Sequence, residues 1–303
     1  MAQRIWFITG VSSGFGRCLA ETVAARGDIA VGTLRQQAQL ASYEALSPGK
    51  TIGVKMDVTD PAQIDAGIDH VIGKFGRIDV LVNNAGYGLL GAVEEANDAE
   101  TRAQMETNFF GALALTRAVL PHLRRQKSGH ILQVSSIAGF TTAPGLGIYN
   151  ASKFALEGFS EALAREIAPL GLRLTLIEPG PFRTKWAGES IKRATTVIPD
   201  YAQSAGATIS YIQELKGTQP GDPMLAAEAM IKVVDSPNPP LRLTLGAAAI
   251  TGFRARLDRL RKELDEWEAV GLATDAPPGK QATPSRRTIA RRDPVLRQPE
   301  YSP

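Results

Sequence analysis

The 303-residue sequence predicts an α/β fold: a doubly wound parallel sheet of about seven strands, in a single domain with a helical substrate lid. Three observations carry this expectation. Short apolar, β-rich runs alternate with helical segments along most of the chain, the pattern of parallel strands joined by right-handed crossovers. Some runs, such as Ile78 to Val82, are nearly all apolar, as strands buried on both faces must be. The glycine-rich and polar breaks also fall at the carboxyl ends of these runs, where open α/β sheets bind ligands.

In order, the run Ile5 to Thr9 leads into Gly10-Val-Ser12-Ser-Gly14-Phe15-Gly16 and then a helix from Arg17 to Ala25. A strand, a glycine turn and a helix N-terminus make a phosphate site: glycines allow close backbone approach, and the helix end offers unpaired N–H groups. A second strand, Ile29 to Leu34, ends without an acid, and Arg35 follows. An acid at that place holds a ribose 2′-hydroxyl and an arginine accommodates a 2′-phosphate, so NADP(H) is expected over NAD(H). The strand Thr51 to Met56 precedes Asp57-Val58, where an adenine edge could be held. A helix from Pro61 to Phe75 follows, and then the strand Ile78 to Val82, which ends in Asn83-Asn84-Ala85-Gly86. Glu100 to Arg125 reads as one helix with Asn108 inside it. The strand Ile131 to Val134 ends in Ser135-Ser136, and the strand Arg173 to Ile177 ends in Glu178-Pro179-Gly180 and continues to Thr184.

Between those two strands, Tyr149-Asn-Ala-Ser-Lys153 opens a helix that runs to about Ala168. Residues four apart share a helix face, so the phenol and the ammonium should enter the same space. A free tyrosine titrates near ~10, and acid/base work near neutrality requires stabilising its anion by about 3–4 kcal/mol. A cation ~4 Å away contributes roughly 4 kcal/mol at an effective dielectric of ~20. Lys153 is therefore expected to lower the Tyr149 pKa.

Residues 185–224 exceed a plain connection. They carry Trp186, Ile191, Val197, Ile198, Tyr201, Ile209, Tyr211 and Ile212 among polar residues, as in a helical lid with an apolar underside or an Ω-loop packed on itself. A helix from Ala226 to Val234, a strand from Leu241 to Leu245 and a helix from Ala248 to Trp267 complete the domain. In the last helix Phe253, Leu257, Leu260, Leu264 and Trp267 recur at 4-3-4-3 spacing, a stripe that faces the core or another subunit.

With 44% hydrophobic residues the chain supports a sizeable core. The net charge of +3 is a property of the tail, since from Asp275 onward six Lys/Arg face three Asp/Glu, while the remainder has 28 of each. The neutral body gives no reason to expect nucleic-acid binding. Cys18 is the only cysteine, which rules out an intrachain disulfide and fits a reducing compartment. No metal site is expected. The N-terminus enters a strand directly, without the apolar region of a signal peptide, and no run approaches a membrane span, so a cytoplasmic protein is expected. The domain is assigned to 1–274. The Pro/Arg-rich remainder, 275–303, is expected to be a disordered, solvated tail, with a docking patch at its arginines as the alternative.

Taken together, Thr9-Gly10-x-x-x-Gly14-x-Gly16, Asp57-Val58, Asn83-Asn84-Ala85-Gly86, Asn108, Ser136, Tyr149-x-x-x-Lys153 and Pro179-Gly180 through Thr184 resemble the short-chain dehydrogenase/reductases, in their compact single-domain branch with a Rossmann-like fold. The resemblance covers Arg4 to about Trp267. It selects Ser136, 13 residues before Tyr149, over Ser135. It implies that Tyr149 exchanges a proton with a carbonyl or alcohol oxygen that Ser136 holds. Lys153 would bind the nicotinamide ribose and join a water-linked proton path to Asn108. Gly10, Ser12, Gly14, Phe15 and Gly16 would serve the pyrophosphate, Asp57 and Val58 the adenine, Asn83, Ala85 and Gly86 the adenosine side, and Pro179, Gly180 and Thr184 the carboxamide. The expected activity is hydride transfer between NADP(H) and a ketone/secondary alcohol of apolar character, in a homodimer or homotetramer built on the Asn108 and Tyr149 helices. An NADP(H)-sensing regulatory protein and a C=C or C=N reductase are the alternatives.

Overall fold

The structure, a computed structural model, describes residues 3–188 and 190–275; the expectation for the tail beyond 275 lies outside them. The described residues divide into two units, the first ending at Asp258 and the second beginning at Arg259.

The first unit opens with β1 (Ile5–Ile8), α1 (Gly14–Ala25), β2 (Ile29–Leu34), the short α2 (Leu40–Glu44) and β3 (Thr51–Lys55). Next come α3 (Pro61–Phe75), β4 (Val80–Asn83), β5 (Gly88–Leu90), α4 (Asp98–Met105) and α5 (Gly111–Gln126). The chain continues through β6 (His130–Val134), α6 (Gly147–Ile167), β7 (Arg173–Pro179), β8 (Ile191–Arg193), α7 (Ala207–Glu214), α8 (Pro223–Asp235) and β9 (Arg242–Leu245), and α9 (Ala247–Leu272) begins in this unit. Helix ends follow local chemistry. Asp60 accepts hydrogen bonds from the first amides of α3, Pro61 occupies its first turn and Gly76 closes it at φ 73°. Asn97 and Glu100 form a reciprocal capping box at α4.

Seven strands form one sheet in the order β3-β2-β1-β4-β6-β7-β9, every pairing parallel. Helices α3, α5 and α6 bury Ile64, Ile68, Leu115, Val119 and Leu163 against one face. On the other, α1 and α8 bury Leu19, Val23, Ala227 and Met230. The strand order reverses between β1 and β4, which opens a crevice at their carboxyl ends.

Three elements differ from the sequence expectation. The helix across Asn108 is interrupted by one π-helical turn, Glu106–Phe110. The lid is only partly helical: a 3-10 turn, Lys185–Ala187, precedes β8, which pairs in parallel with β5, and among its described residues α7 is the α-helix that lies wholly within it. Isolated three-residue strands carry too little periodicity to be read. The stripe on α9 also departs from a core role. Phe253 stacks on Phe140 at 4.3 Å, but Leu257, Leu260, Leu264 and Trp267 are exposed.

Candidate active site

A cleft of about 640 Å³ lies along the carboxyl ends of the strands. Its first wall is the β1–α1 turn. Gly10 and Gly14 have φ of 71° and 60°, values that only glycine adopts without strain. Gly16 has a different constraint, because a Cβ there would lie 2.4 Å from the Gly10 carbonyl oxygen and 2.5 Å from Asn84 Nδ2. Neighbouring strands fasten the turn. The Thr33 hydroxyl accepts from Gly10 N at 3.2 Å, and the Thr9 hydroxyl accepts from the amides of Asn84 and Ala85, both at 2.9 Å. Asn84 Nδ2 returns hydrogen bonds to the carbonyls of Thr9 and Gly10 at 2.8 and 3.0 Å. The α1 N-terminus carries no acid in its first turn and the Ser13 side chain makes no capping bond. Its amides and positive dipole end thus remain available to an anion.

The opposite wall holds Ser136, Tyr149 and Lys153. Ser136 caps a 3-10 turn, accepting from Ala138 N at 3.1 Å through its hydroxyl oxygen, which leaves its proton to donate. Tyr149 and Lys153 lie on one face of α6 and both are buried. Lys153 Nζ donates to the Val134 carbonyl at 2.9 Å and sits 6.0 Å from the Tyr149 ring centroid. Burial pushes the Tyr149 phenol up to about 12, opposed by a hydrogen bond from Ser136. Burial likewise pushes Lys153 down to about 8, opposed by Glu157. The Tyr149 pKa therefore lies above its ordinary value, the reverse of the sequence expectation. Removing the phenolate from water is the larger cause, with the Ser136 hydrogen bond opposing it.

Behind Lys153, Glu157 is raised by burial and meets Arg242. Arg242 also donates to Glu178 at 2.7 Å, and Thr244 donates to the other Glu178 oxygen at 2.9 Å. These contacts tie the middle of α6 to β7 and β9.

Residues 4–194 match the family described as short chain dehydrogenase. The chain belongs to that family. It is 38% identical over 249 residues to the 3-ketodihydrosphingosine reductase of Bacteroides thetaiotaomicron, a match covering 81% of this chain and 89% of that protein. The solved short-chain dehydrogenase from Streptomyces avermitilis is 41% identical, with a TM-score of 0.85 over 90% of this chain and 99% of that one. Related folds hold either nucleotide. A Burkholderia phymatum member in complex with NAD is 26% identical, with a TM-score of 0.76 over 86% of this chain and 95% of its own. A serine dehydrogenase complexed with NADP+ is 25% identical, with a TM-score of 0.69 over 80% and 94%.

In this short-chain dehydrogenase the structure brings most of the expected residues to one cleft. Gly10, Ser12, Gly14 and Phe15 line it at the turn, Arg35, Asp57 and Val58 at the β2 and β3 ends, and Ala85 and Gly86 after β4. Pro179 at the end of β7, and Gly180 and Thr184 beyond it, line it together with Tyr149 and Lys153. Arg35 is exposed. The Asp57 carboxylate is held by the Thr59 amide at 3.0 Å and hydroxyl at 2.8 Å.

Three expected residues stand elsewhere. Asn83 points away from the cleft and donates to Thr116 Oγ1 at 2.8 Å. It is the last residue of β4, and side chains alternate faces along a strand, so Asn84 holds the turn in its place. Gly16 lies behind the wall, as the constraint on its Cβ requires. Asn108 is buried and clamps Tyr87, accepting from its amide at 3.0 Å and donating to its carbonyl at 2.9 Å. It also donates to Ser152 Oγ at 3.1 Å.

Among the cleft residues without an assigned role in the site are Trp186 and Lys192. Trp186 packs on the Tyr149 ring at 5.3 Å, and Lys192 Nζ lies 4.7 Å from the Tyr87 ring. Both come from the segment that β5 and β8 draw over the cleft. An aromatic two residues after Thr184 was the one local signal.

Proposed function

We propose that this protein is an NADP(H)-dependent oxidoreductase that interconverts a ketone and a secondary alcohol of apolar character. The observation that carries the reading is the convergence of Tyr149, Ser136 and Lys153 on the cleft that the glycine turn closes at its other end. The turn fits a dinucleotide, because Gly10, Ser12 and Gly14 line the cleft and the helix that follows carries neither an acid in its first turn nor a side-chain cap, so its N-terminus can take a phosphate. Gly10, Ser12, Gly14 and Phe15 would hold the pyrophosphate, Asp57, Val58, Ala85 and Gly86 the adenosine, and Pro179, Gly180 and Thr184 the carboxamide. When bound there, the nicotinamide supplies the hydride, a chemistry that belongs to the cofactor.

The chain's own part is proton handling and orientation. A phenol at about 12 keeps its proton at neutral pH, so Tyr149 is a proton donor to the carbonyl oxygen in reduction and recovers the proton from the alcohol in oxidation. Ser136, whose oxygen accepts from Ala138 N, keeps a hydroxyl proton with which it orients the same oxygen. Lys153, protonated at neutral pH, favours the phenolate as it forms. Asn108, whose side chain is held by Tyr87 and Ser152, would join the water path to Lys153 through the backbone of its π turn. Trp186 beside Tyr149 supports an apolar substrate, as does a relative named for reducing a keto form of dihydrosphingosine. The reading includes a cytoplasmic setting, consistent with one cysteine. It also includes subunit pairing through the Asn108 and Tyr149 helices, where Phe110 and Phe154 are exposed.

NADP(H) preference rests on Arg35 at the cleft and the lack of an acid at the end of β2. The test is titration with NADPH and NADH by nicotinamide fluorescence, on wild type and Arg35→Ala. Tighter NADPH binding that weakens about tenfold in the variant is expected. Equal NADH binding in both proteins would overturn the preference.

A further inference from the structure

Helix α9 carries two features that a lone helix does not need. Leu257, Leu260, Leu264 and Trp267 are 54%, 37%, 68% and 67% exposed, and their 3-4-3 spacing sets them in one seam along the helix. The charges along the helix are segregated by sign, and those that flank the seam follow suit, Arg256 and Arg261 in one half and Glu263 and Glu268 in the other. Residues 254–262 hold Arg254, Arg256, Arg259, Arg261 and Lys262 against the single acid Asp258, whereas Glu263, Asp265, Glu266 and Glu268 follow with no cation among them.

This order does little for the helix itself. Arg259–Glu263 and Lys262–Glu266 are i,i+4 pairs at 3.9 and 3.7 Å, both cation-first, the weaker orientation on a helix. The last turn carries no cation to offset the dipole. The same order suits an antiparallel copy of the helix, which sets each basic half beside an acidic half while the two seams bury one another. A parallel copy would place like charges together. Two-fold symmetry, the usual relation between identical subunits, produces the antiparallel arrangement when its axis crosses the helix.

We propose that α9 is a self-association surface: it pairs antiparallel with α9 of a second copy of this chain, the apolar seam supplying affinity and the split charge fixing direction. The contact is separate from pairing through the Asn108 and Tyr149 helices.

The test uses two variants of the full chain. One reverses the acidic half (Glu263→Lys, Glu266→Lys, Glu268→Lys), the other the basic half (Arg259→Glu, Arg261→Glu, Lys262→Glu). None of the substituted residues lines the cleft. Sedimentation velocity is expected to show each variant at half the wild-type mass, with an equimolar mixture restoring the wild-type mass. A wild type no heavier than either variant overturns the proposal, as does a mixture that fails to regain mass. Wild-type protein that stays at the variants' mass but co-sediments with phosphatidylserine vesicles assigns the stripe to a membrane surface and likewise overturns it.

Discussion

The two walls of the cleft reach their functional form by different physics. At the glycine turn, backbone geometry decides: positive φ at Gly10 and Gly14 and the missing Cβ at Gly16 are local demands, met by residue type alone. At the Tyr149–Lys153 wall, position comes from the helix, but acidity comes from burial. The pair shares a face because its members are four residues apart, yet its pKa values are pushed in opposite directions by the surrounding protein. A motif can therefore locate a reacting group without stating its protonation.

That contrast can be broken in three places. The largest effect is expected at the acid: Tyr149→Phe should lower turnover about 10³-fold, within the usual range for general acid/base catalysis, while NADPH fluorescence titration stays within twofold of wild type. Retained turnover would mean that Tyr149 is not the proton donor. Next comes Gly16→Ala, where a Cβ 2.4 Å from a carbonyl oxygen forces the turn apart. It should weaken NADPH binding at least tenfold and lower stability by about 2–3 kcal/mol, in the range of overpacking a close contact, as read by titration and urea unfolding. Normal binding would mean that the turn yields freely.

The smallest effect concerns the charge of Lys153. Its pKa is about 8 in the folded protein and near ~10.4 when unfolded. Between these values the unfolded chain binds more protons, so stability rises with pH. Tyr149 acts in a separate window: its raised pKa of about 12 gives stability that is full below ~10 and is lost as pH approaches 12. Wild type should therefore gain about 2 kcal/mol on Lys153→Met between pH 8 and 10, by linkage at ~1.36 kcal/mol per pH. A pH-independent difference would mean that Lys153 keeps its ordinary pKa.

Much of this protein was determined by sequence alone. Alternating runs defined the seven-strand parallel sheet because strand and helix periods are local, and the site turns were placed at strand ends because chain order and sheet polarity leave no other location. Tyr149 and Lys153 were paired by helix geometry, and Gly10 and Gly14 by the conformations open to glycine. Tertiary structure decided the rest. Asn84 rather than Asn83 faces the turn because the register of β4 against β1 sets which side chain points inward. Trp186 reaches Tyr149 because β8 pairs with β5, residues about a hundred positions away. The phenol's raised pKa depends on what covers it, since desolvation is a property of the packed environment and no spacing along the chain encodes it.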